Sequence, residues 1–398
     1  MDKQIIIISE YFYPNERTDA FLLTEISKRL ATTNKNVKIV CTSQLNGNTE
    51  LSSLEDKVIR LKESRLNSNN LIMRILKFLN LTTKLSLKAF SLIKKHDRVL
   101  ITTNPAFLLP IISLFRKFIN FEYTILVYDV FPENLVSANI ISKKNFFYKI
   151  IKKIFDWSYS QSDRLIVIGR DMQDVMSQKI STKTRIFLIQ NWCNYENISY
   201  EAKNKNKILL KLGIETKKVF LFAGNLGRVQ GITTLLEASN LVKNKDFILL
   251  FIGEGACKNE IISFIDSNKN GKVVYGGSYP LSEQNDFLNA CDVSIISLNK
   301  SMYGLGVPSK SYTNMAAQKP LLYIGDEQSE IAQVINEFNI GWSVEPGDKN
   351  KLASKIDEIC MKSDLYKEIG KRSRDVVVNY FSKDLILNKY SKLFEENI

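Results

Sequence analysis

Short apolar runs alternate with longer amphipathic segments through the first half of the chain. The first two runs are separated by a polar loop from Tyr11 to Asp19 and an amphipathic segment near Phe21 to Ala31. Largely apolar runs of this length are typical of strands buried on both faces of a parallel sheet. The runs are IIII at 5–8, VKIVCTS at 37–43, VLITT at 99–103, YTILVYD at 123–129, RLIVIG at 164–169 and RIFLIQN at 185–191. The pattern predicts a doubly wound α/β domain.

A second series of apolar runs follows the polar stretch 192–206, which we interpret as a linker between domains. Its members are KVFLFAG at 218–224, FILLFIG at 247–253, KVVYGG at 272–277, DVSIISL at 292–298 and PLLYIG at 320–325. The repeated architecture predicts an α/β protein with two doubly wound, Rossmann-like lobes that face a central cleft. We expect lobes at 1–195 and 196–381, and a C-terminal helix at 382–398 that returns to the first lobe.

Composition excludes several classes of protein. A chain of 398 residues with 44% hydrophobic and 24% charged residues is typical of a globular protein with two domains. Its longest apolar run, PAFLLPIISLF at 105–115, is too short to span a membrane, and its start does not have the pattern of a signal peptide. We therefore expect a cytoplasmic location. Five dispersed cysteines and a single histidine, His96, favour neither disulfides nor a metal site.

Positive charge is concentrated in the first half of the chain. Residues 1–195 contain 29 Lys and Arg against 17 Asp and Glu, whereas residues 196–398 contain 26 against 25. The imbalance predicts a polyanionic partner for the first lobe, such as nucleic acid, anionic lipid or a phosphorylated lipid.

Two lysine-rich segments make an anionic membrane surface the expected partner. On a helix, Lys77, Lys84, Lys88 and Lys95 fall within about 40° of one another. The opposite side is apolar: Ile72, Ile75, Leu76, Leu79, Leu87, Phe90 and Ile93. A second basic cluster is interleaved with aromatic residues: Lys143, Lys144, Lys149, Lys152 and Lys153 beside Phe146, Phe147, Tyr148 and Phe155. Such helices can lie on a membrane, although a solvated helix face over an ordinary core has the same pattern.

Glycines follow four predicted strands of the second lobe, where ligands of open α/β sheets bind. They occur in GNLGRVQG at 224–231, GEG at 253–255, Gly276–Gly277 and the stretch 303–322. That last stretch, YGLGVPSKSYTNMAAQKPLL, predicts a tight turn and then a helix that begins near Pro308 and Ser309, with Lys310 in its first turn. No loop has the dinucleotide or phosphate-loop glycine spacing. The set nevertheless predicts an anion site that includes Lys310 and Arg228.

The ordered set of these motifs resembles family 4 glycosyltransferases, which have the GT-B fold. FAGNLGRVQG, FIGEG, ACDVSIISL, GVPSKSYTNMAAQKPLL, SEIAQVI and VEPGD resemble their nucleotide-sugar lobe. SEYFYPN, TTNPAFLL and VYDVFPENLV resemble the acceptor lobe of bacterial polysaccharide enzymes of O-antigen, capsule and colanic acid assembly, especially N-acetylfucosamine and fucose transferases. The resemblance covers nearly the whole chain.

The resemblance implies a role for individual residues. Arg228 and Lys310 would neutralise the donor diphosphate, and Asp129 would face the acceptor. The implied donor-binding residues are Gly224, Asn225, Gly227, Gly253, Glu254, Pro308, Ser309, Thr313, Ser329 and Glu330. Thr18 and Glu133 are expected on the acceptor side.

Several positions depart from the family pattern. Leu305 and Thr313 replace two glutamates near the donor sugar and ribose, and Asn225 and Gln230 replace a basic pair in the first phosphate loop. Tyr128 replaces an acceptor-side histidine, and the usual glycine pair is absent around residues 15–18. These departures keep open an inactive homologue that binds nucleotide sugar or glycan.

The expected activity is hexosyl transfer from a nucleotide-diphosphate sugar, for which UDP is the expected nucleotide, onto a lipid-linked polysaccharide precursor. Cationic groups that stabilise the departing diphosphate would take the place of a metal, so we expect neither metal nor cofactor. The resemblance implies retention of configuration. Asp129 could act as a base or orient the acceptor, but it could equally cap the following turn. The remaining alternatives are a nucleotide-sugar epimerase, disfavoured by the single histidine, and a nucleic-acid-binding protein, disfavoured by the glycine-lined lobe.

Overall fold

The computed structural model describes residues 3–15, 17–43, 54–62, 71–268 and 270–396. The chain forms two compact units. Unit 1 contains 1–190, the tripeptide Gly304–Gly306 and Ile386–Ile398, and unit 2 contains Asn191–Tyr303 and Val307–Leu385. Within the described ranges, no helix is both long and apolar enough to cross a membrane.

The sheet of unit 1 has seven parallel strands in the order β3-β2-β1-β4-β5-β6-β7. The strands are β1 (Ile5–Ile8), β2 (Val37–Ser43), β3 (Val58–Lys62), β4 (Arg98–Thr102), β5 (Glu122–Val127), β6 (Arg164–Val167) and β7 (Arg185–Leu188). All four residues of β1 are buried, because helices cover both faces of the sheet. The order reverses between β1 and β4, so the loops after these two strands diverge and leave room for a ligand.

The described residues of unit 1 up to residue 190 contain six α-helices. They are α1 (Thr18–Thr33), α2 (Leu71–Leu92), α3 (Leu108–Arg116), α4 (Glu133–Ser137), α5 (Phe146–Ser160) and α6 (Arg170–Ser177). The apolar side predicted for α2 does not coincide with its buried side, because Leu81, Leu85 and Ala89 are buried while Leu76 and Leu87 are exposed. The side chains of Ile72 and Ile75 lie outside the described part.

The sheet of unit 2 has six parallel strands in the order β10-β9-β8-β11-β12-β13. The strands are β8 (Lys218–Ala223), β9 (Phe247–Ile252), β10 (Val273–Tyr275), β11 (Val293–Ser297), β12 (Leu321–Ile324) and β13 (Gly341–Val344). Alternate residues of β8 point to opposite faces: Phe220 and Phe222 pack in one hydrophobic cluster, and Val219 and Leu221 pack in another. Here the order reverses between β8 and β11.

Nine further helices complete the described chain. They are α7 (Lys207–Leu212), α8 (Ile232–Leu241), α9 (Lys258–Ser267), α10 (Gln284–Leu288), α11 (Lys310–Ala316), α12 (Glu330–Phe338), α13 (Lys349–Met361), α14 (Tyr366–Tyr380) and α15 (Lys383–Glu395). The stretch interpreted as a linker starts inside unit 2, since the Cys193 N–H donates to the Phe381 carbonyl. Trp192 and Cys193 are buried there.

Candidate active site

Two loops at the carboxyl edge of the unit 2 sheet touch each other backbone to backbone. The loop after β8 contains Gly224, and the loop after β9 contains Gly253, whose φ is +134°. A β-carbon on Gly253 would lie 1.9 Å from the carbonyl oxygen of Gly224. The Leu226 N–H donates to the Glu254 carbonyl at 2.8 Å. Glycine at position 253 is therefore required by the contact between the two loops as well as by its own backbone conformation.

The Lys310 ammonium lies over Gly224, at the start of α11. A β-carbon on Gly224 would lie 2.0 Å from Lys310 Nζ, so only glycine leaves room for the amine. Nζ also lies 5.5 Å from the centroid of the Phe222 ring. Burial, with no neighbouring charge to offset it, lowers the pKa of Lys310 to about 8. In the described part of the chain no carboxylate forms an ion pair with this lysine, so its charge is available to an anionic ligand.

Arg228 belongs to a single 3-10 turn, Arg228–Gln230, that side chains hold from both ends. The Gly227 N–H donates to Gln230 Oε1 at 2.8 Å. From the loop after β11, the Asn299 amide donates to the Arg228 carbonyl at 3.1 Å. The Arg228 side chain itself is exposed. The turn is thus fixed while its guanidinium can contact a ligand at the same edge of the sheet as Lys310. Asn225 is also exposed in this loop.

Glu254 is an exposed carboxylate after β9, paired with two neighbours. It accepts from Lys258 at 2.8 Å and from the Tyr275 hydroxyl at 3.1 Å. These hydrogen bonds, the one from Lys258 first, lower the pKa of Glu254. An anionic group here disfavours phosphate, so Glu254 fits a role toward neutral hydroxyl groups better than a role toward the diphosphate.

The other predicted donor residues lie along the neighbouring strand ends. The Thr313 hydroxyl donates to the Lys310 carbonyl at 2.9 Å, and the Pro308 and Ser309 carbonyls accept from the first turn of α11. Ser329 precedes α12, one strand further along the sheet, where its hydroxyl donates to the Asp326 carbonyl and contacts the Tyr323 hydroxyl. Glu330 is buried. The direct contacts thus join Gly224, Gly253, Lys310 and Thr313, while Ser329 and Glu330 lie beside them.

Unit 1 has its own polar cluster at the carboxyl edge of its sheet. Asp129 follows β5, and its N–H donates to Thr103 Oγ1 at 3.2 Å. Burial raises the pKa of Asp129 to about 6, and the negative charge of Asp19 adds to the rise. Arg17 and a hydrogen bond from Asn104 oppose it. A carboxylate with this pKa is ionised at neutral pH and can accept a proton at little cost.

Asp19, Arg17 and Asn104 were not predicted from the sequence as site residues. Arg17 contacts Asp19 through two hydrogen bonds of 3.0 and 3.2 Å, and its guanidinium lies 4.2 Å from the centroid of the Tyr11 ring. Asn104 Nδ2 donates to Asp19 Oδ2 at 3.3 Å. Asn104 also acts on Asp129, whose pKa it lowers, so one amide influences both carboxylates. Their position in the sequence could have indicated them, because they follow β1 and β4. The strand order reverses between these two strands, and ligands of open α/β sheets bind at such a reversal.

The tripeptide Gly304–Gly306 completes this part of unit 1. The Val130 N–H donates to the Leu305 carbonyl at 3.1 Å, and Leu305 is buried. A β-carbon on Gly304, whose φ is +65°, would lie 2.6 Å from the Asp171 carbonyl oxygen. Leu305 is therefore an apolar packing residue at a position where relatives of the family were expected to carry a glutamate.

The two remaining acceptor-side residues differ in their surroundings. Thr18 is the exposed first residue of α1. Glu133 forms ion pairs with Lys179 at 2.6 Å and with Lys152 at 3.3 Å. The Glu133 carboxylate is thus held by two lysines and is less available to a substrate than Asp129.

Metal-binding groups do not converge in either unit. Across the residues that the structure describes, no three His, Cys, Asp or Glu side chains are placed to hold a metal ion. All five cysteines are free.

Comparison with known proteins places these observations in a family. A family model described as glycosyl transferases group 1 matches residues 204–376. The chain is 34% identical over 388 residues to the probable glycosyltransferase WbjE of Pseudomonas aeruginosa, covering 98% of this chain and 96% of that protein.

Solved structures show the same fold at low sequence identity. Anabaena HepE in complex with UDP-glucose matches with a TM-score of 0.71 and 14% identity, over 98% of this chain and 99% of HepE. WaaG, a glycosyltransferase involved in lipopolysaccharide biosynthesis, matches with a TM-score of 0.66 and 12% identity, over 99% of this chain and all of WaaG. The chain belongs to the group 1 glycosyltransferases, with two Rossmann-like α/β domains of the GT-B fold.

Proposed function

We propose that this glycosyltransferase moves a hexose from a UDP-sugar onto a lipid-linked polysaccharide precursor, with retention of configuration and without a metal. One observation carries the donor half of the proposal: Lys310 holds an ammonium over Gly224 that no carboxylate in the described residues neutralises. A half-buried cation that no carboxylate in the described residues pairs with, at a ligand-binding sheet edge, is costly for the free protein. A diphosphate would pair with this ammonium, raise its pKa and offset that cost.

The diphosphate is also the leaving group of the reaction, so its binding site contributes to catalysis. Negative charge grows on the departing oxygen in the transition state, and cations placed in advance stabilise it. Lys310 and the exposed Arg228 provide this charge in our proposal. Losing one such donor typically raises the barrier by about 2.7 to 4 kcal/mol. HepE was crystallised with UDP-glucose, which supports a UDP-sugar as donor for a chain of the same fold.

Asp129 orients the acceptor hydroxyl or removes its proton in this proposal. Its raised pKa suits proton acceptance near neutral pH, and its neighbours Arg17, Asp19 and Asn104 provide hydrogen bonds for a sugar acceptor. The lipid-linked nature of the acceptor is supported by the role of WaaG in lipopolysaccharide biosynthesis and by the basic first half of the chain. We place the reaction at the cytoplasmic face of the membrane, with the protein bound peripherally.

The proposal extends to the identity of the transferred sugar. The resemblance of the first half to N-acetylfucosamine and fucose transferases favours a 6-deoxyhexose. Because Leu305 and Thr313 stand at the positions of two expected glutamates, the sugar hydroxyls must be bound by other groups. Glu254 and Asn225, both exposed at the sheet edge of unit 2, are our candidates.

A second function is favoured by Leu305 and Thr313 themselves. Neither side chain can accept hydrogen bonds as a carboxylate does, and the Thr313 hydroxyl already donates to the Lys310 carbonyl. A homologue that binds nucleotide sugar without transferring it would have this combination of a kept diphosphate site and altered sugar contacts.

The test is a panel of UDP-, GDP- and dTDP-sugars incubated with the protein and a lipid extract from polysaccharide-producing bacteria. We expect sugar transfer and UDP release with one UDP-sugar, unchanged by EDTA and abolished or strongly reduced by Lys310→Ala and Arg228→Ala. Lys300→Ala, an exposed lysine near the same loop, is the matched control and should keep full activity. UDP binding without transfer from any donor would support the inactive homologue instead. Full activity of the Lys310 and Arg228 variants would contradict the diphosphate site.

A further inference from the structure

Large apolar side chains are exposed on three helices of unit 1 that pack side by side. Helix α3 contacts α2 on one side and α5 on the other. We call the exposed set on these helices and their ends the apolar surface. Its members are Leu76, Leu79, Leu87, Phe107, Leu114, Phe118, Phe146, Phe147, Ile150 and Ile154. Single exposed apolar residues are ordinary, but a group of this size on adjacent helices marks an interaction surface.

Aromatic contacts join the three helices beneath this surface. The rings of Phe78 on α2 and Phe107 lie 5.6 Å apart, and those of Phe107 and Phe155 on α5 lie 6.0 Å apart. At the other end of α3, Lys117 Nζ lies 5.1 Å from the centroid of the Trp157 ring. The exposed residues therefore belong to three helices that pack against one another.

Helix α5 has the clearest division into two faces. Phe146, Ile150 and Ile154 follow one another at the four-residue spacing of a helix face, and all three are exposed. Tyr148 and Phe155 lie on the opposite face and are buried. At the amino-terminal end, Phe146 is 70% exposed and Phe147 is 68% exposed, more than the other large hydrophobic residues exposed on this helix, Ile150 at 41% and Ile154 at 43%. Phe146 and Phe147 thus do not serve to pack the core of unit 1.

Lysines border the apolar surface on α5 and the residues just before it. Lys143, Lys144, Lys149 and Lys153 are exposed. In the described ranges none of these four forms an ion pair, whereas Lys152 pairs with Glu133 and Asp156. Helix α2 contains no acidic residue. An apolar face with a basic border is complementary to a bilayer with anionic headgroups, because the acyl region accepts the apolar groups and phosphates pair with the lysines.

We propose that the apolar surface inserts into the interfacial layer of an anionic phospholipid bilayer, with Phe146 and Phe147 as its deepest anchors. The inference rests on the proposed function in one respect: a lipid-linked acceptor explains why the protein would bind a membrane. It also identifies the residues that bind the bilayer. Binding arises from insertion of apolar groups and not only from the attraction of lysines to the headgroups.

The experiment measures vesicle binding in the absence of any sugar donor. Vesicles of phosphatidylcholine with phosphatidylglycerol are compared with phosphatidylcholine alone, using lipids brominated on their acyl chains. Trp192→Phe and Trp342→Phe leave Trp157, beside the surface, as the single fluorophore. We expect the bromines to quench Trp157 and Phe146→Ser/Phe147→Ser to lower the apparent affinity about tenfold or more. The matched control is Met361→Ser/Leu365→Ser, two exposed apolar residues of unit 2, which should leave binding unchanged.

Three results would overturn the proposal. The first is equal vesicle binding by the Phe146/Phe147 variant and the unsubstituted protein. The second is complete release at high salt with no quenching of Trp157, which would mean attraction of lysines alone. The third is a dimer in vesicle-free solution that the Phe146/Phe147 variant abolishes, which would make a second copy of the chain the occupant. Because sugar transfer is measured in a separate assay, failure here leaves the transferase assignment standing.

Discussion

The Lys310 ammonium occupies the space that Gly224 leaves by having no side chain, since a β-carbon there would lie 2.0 Å from Nζ. The first prediction follows from this contact. Gly224→Ala should force the ammonium away from the sheet edge and weaken UDP binding by about tenfold to a hundredfold, the effect of losing one charge-assisted hydrogen bond. Isothermal titration calorimetry measures it.

The control for Gly224→Ala separates displacement of Lys310 from backbone strain. Gly224 and Gly347 both have positive φ, of +120° and +92°, but a β-carbon on Gly347 would meet nothing within 4 Å. Gly347→Ala should therefore lower stability without changing the UDP affinity. Unchanged UDP affinity in Gly224→Ala would show that the lysine position is unimportant for the nucleotide.

The second prediction concerns the pH dependence of UDP binding. Burial lowers the pKa of Lys310 to about 8 in the free protein, and only the protonated form attracts a diphosphate. Between about pH 7 and about pH 9 the protonated fraction falls roughly tenfold, so the UDP affinity should fall by up to a similar factor. Lys310→Arg keeps its charge across this range, and its affinity should change much less. Parallel pH profiles for the two proteins would contradict the prediction.

The third prediction concerns the acid limb of the transfer rate. Asp129, with its pKa raised to about 6, should be protonated as the pH falls below that value, and the rate should fall with it. Asp19→Asn removes a negative charge that raises this pKa, so the acid limb should move to lower pH. Arg17→Gln removes a positive charge that lowers it, so the limb should move to higher pH. Shifts in the same direction would exclude Asp129 as the titrating group.

The fourth prediction concerns the stability of unit 1. The Arg164 side chain is buried and donates to the carbonyl of Leu393 in the last turn of α15 and to that of Glu396 just after the helix. Arg164→Ala removes these charge-assisted bonds and leaves the buried Leu393 carbonyl without this donor, which should lower the free energy of unfolding by about 2 to 4 kcal/mol. Urea denaturation measures the change. Arg185→Ala, at an exposed position on the neighbouring strand, is the control and should stay within about 0.5 kcal/mol.

Central strands could be predicted from the sequence because burial on both faces leaves a continuous apolar run, as in IIII at 5–8. The edge strands β3 and β13 were not predicted. β3 reads VIRLK and is only partly buried, so its composition resembles that of a polar loop. On α2, apolar residues cover more than half the circumference, and the pattern could not tell which of them face the core. The prediction therefore assigns the exposed residues Leu76, Leu79 and Leu87 to the apolar side.

At the site, the sequence could predict residues whose role depends on their own loop. It could not predict residues whose role depends on contacts with residues far away in the sequence. Lys310 follows a turn rich in small residues, a local pattern typical of anion sites. The cluster of Asp19, Asn104 and Asp129 depends on a hydrogen bond between residues 85 positions apart, which no local pattern contains. Glu133 looked available in the sequence because its partner Lys179 lies 46 residues away.

The anchoring of α15 on unit 1 has a consequence for the order of synthesis. Arg164 is translated 229 residues before Leu393, whose carbonyl accepts its hydrogen bond. All of unit 2, between residues 191 and 385, is made in the interval. During that time the nascent unit 1 has its seven strands but neither its final helix nor the tripeptide Gly304–Gly306. A ribosome-bound chain that stops before Ile386 therefore leaves the buried guanidinium of Arg164 without its carbonyl partners. The first unit to emerge is the last to be finished.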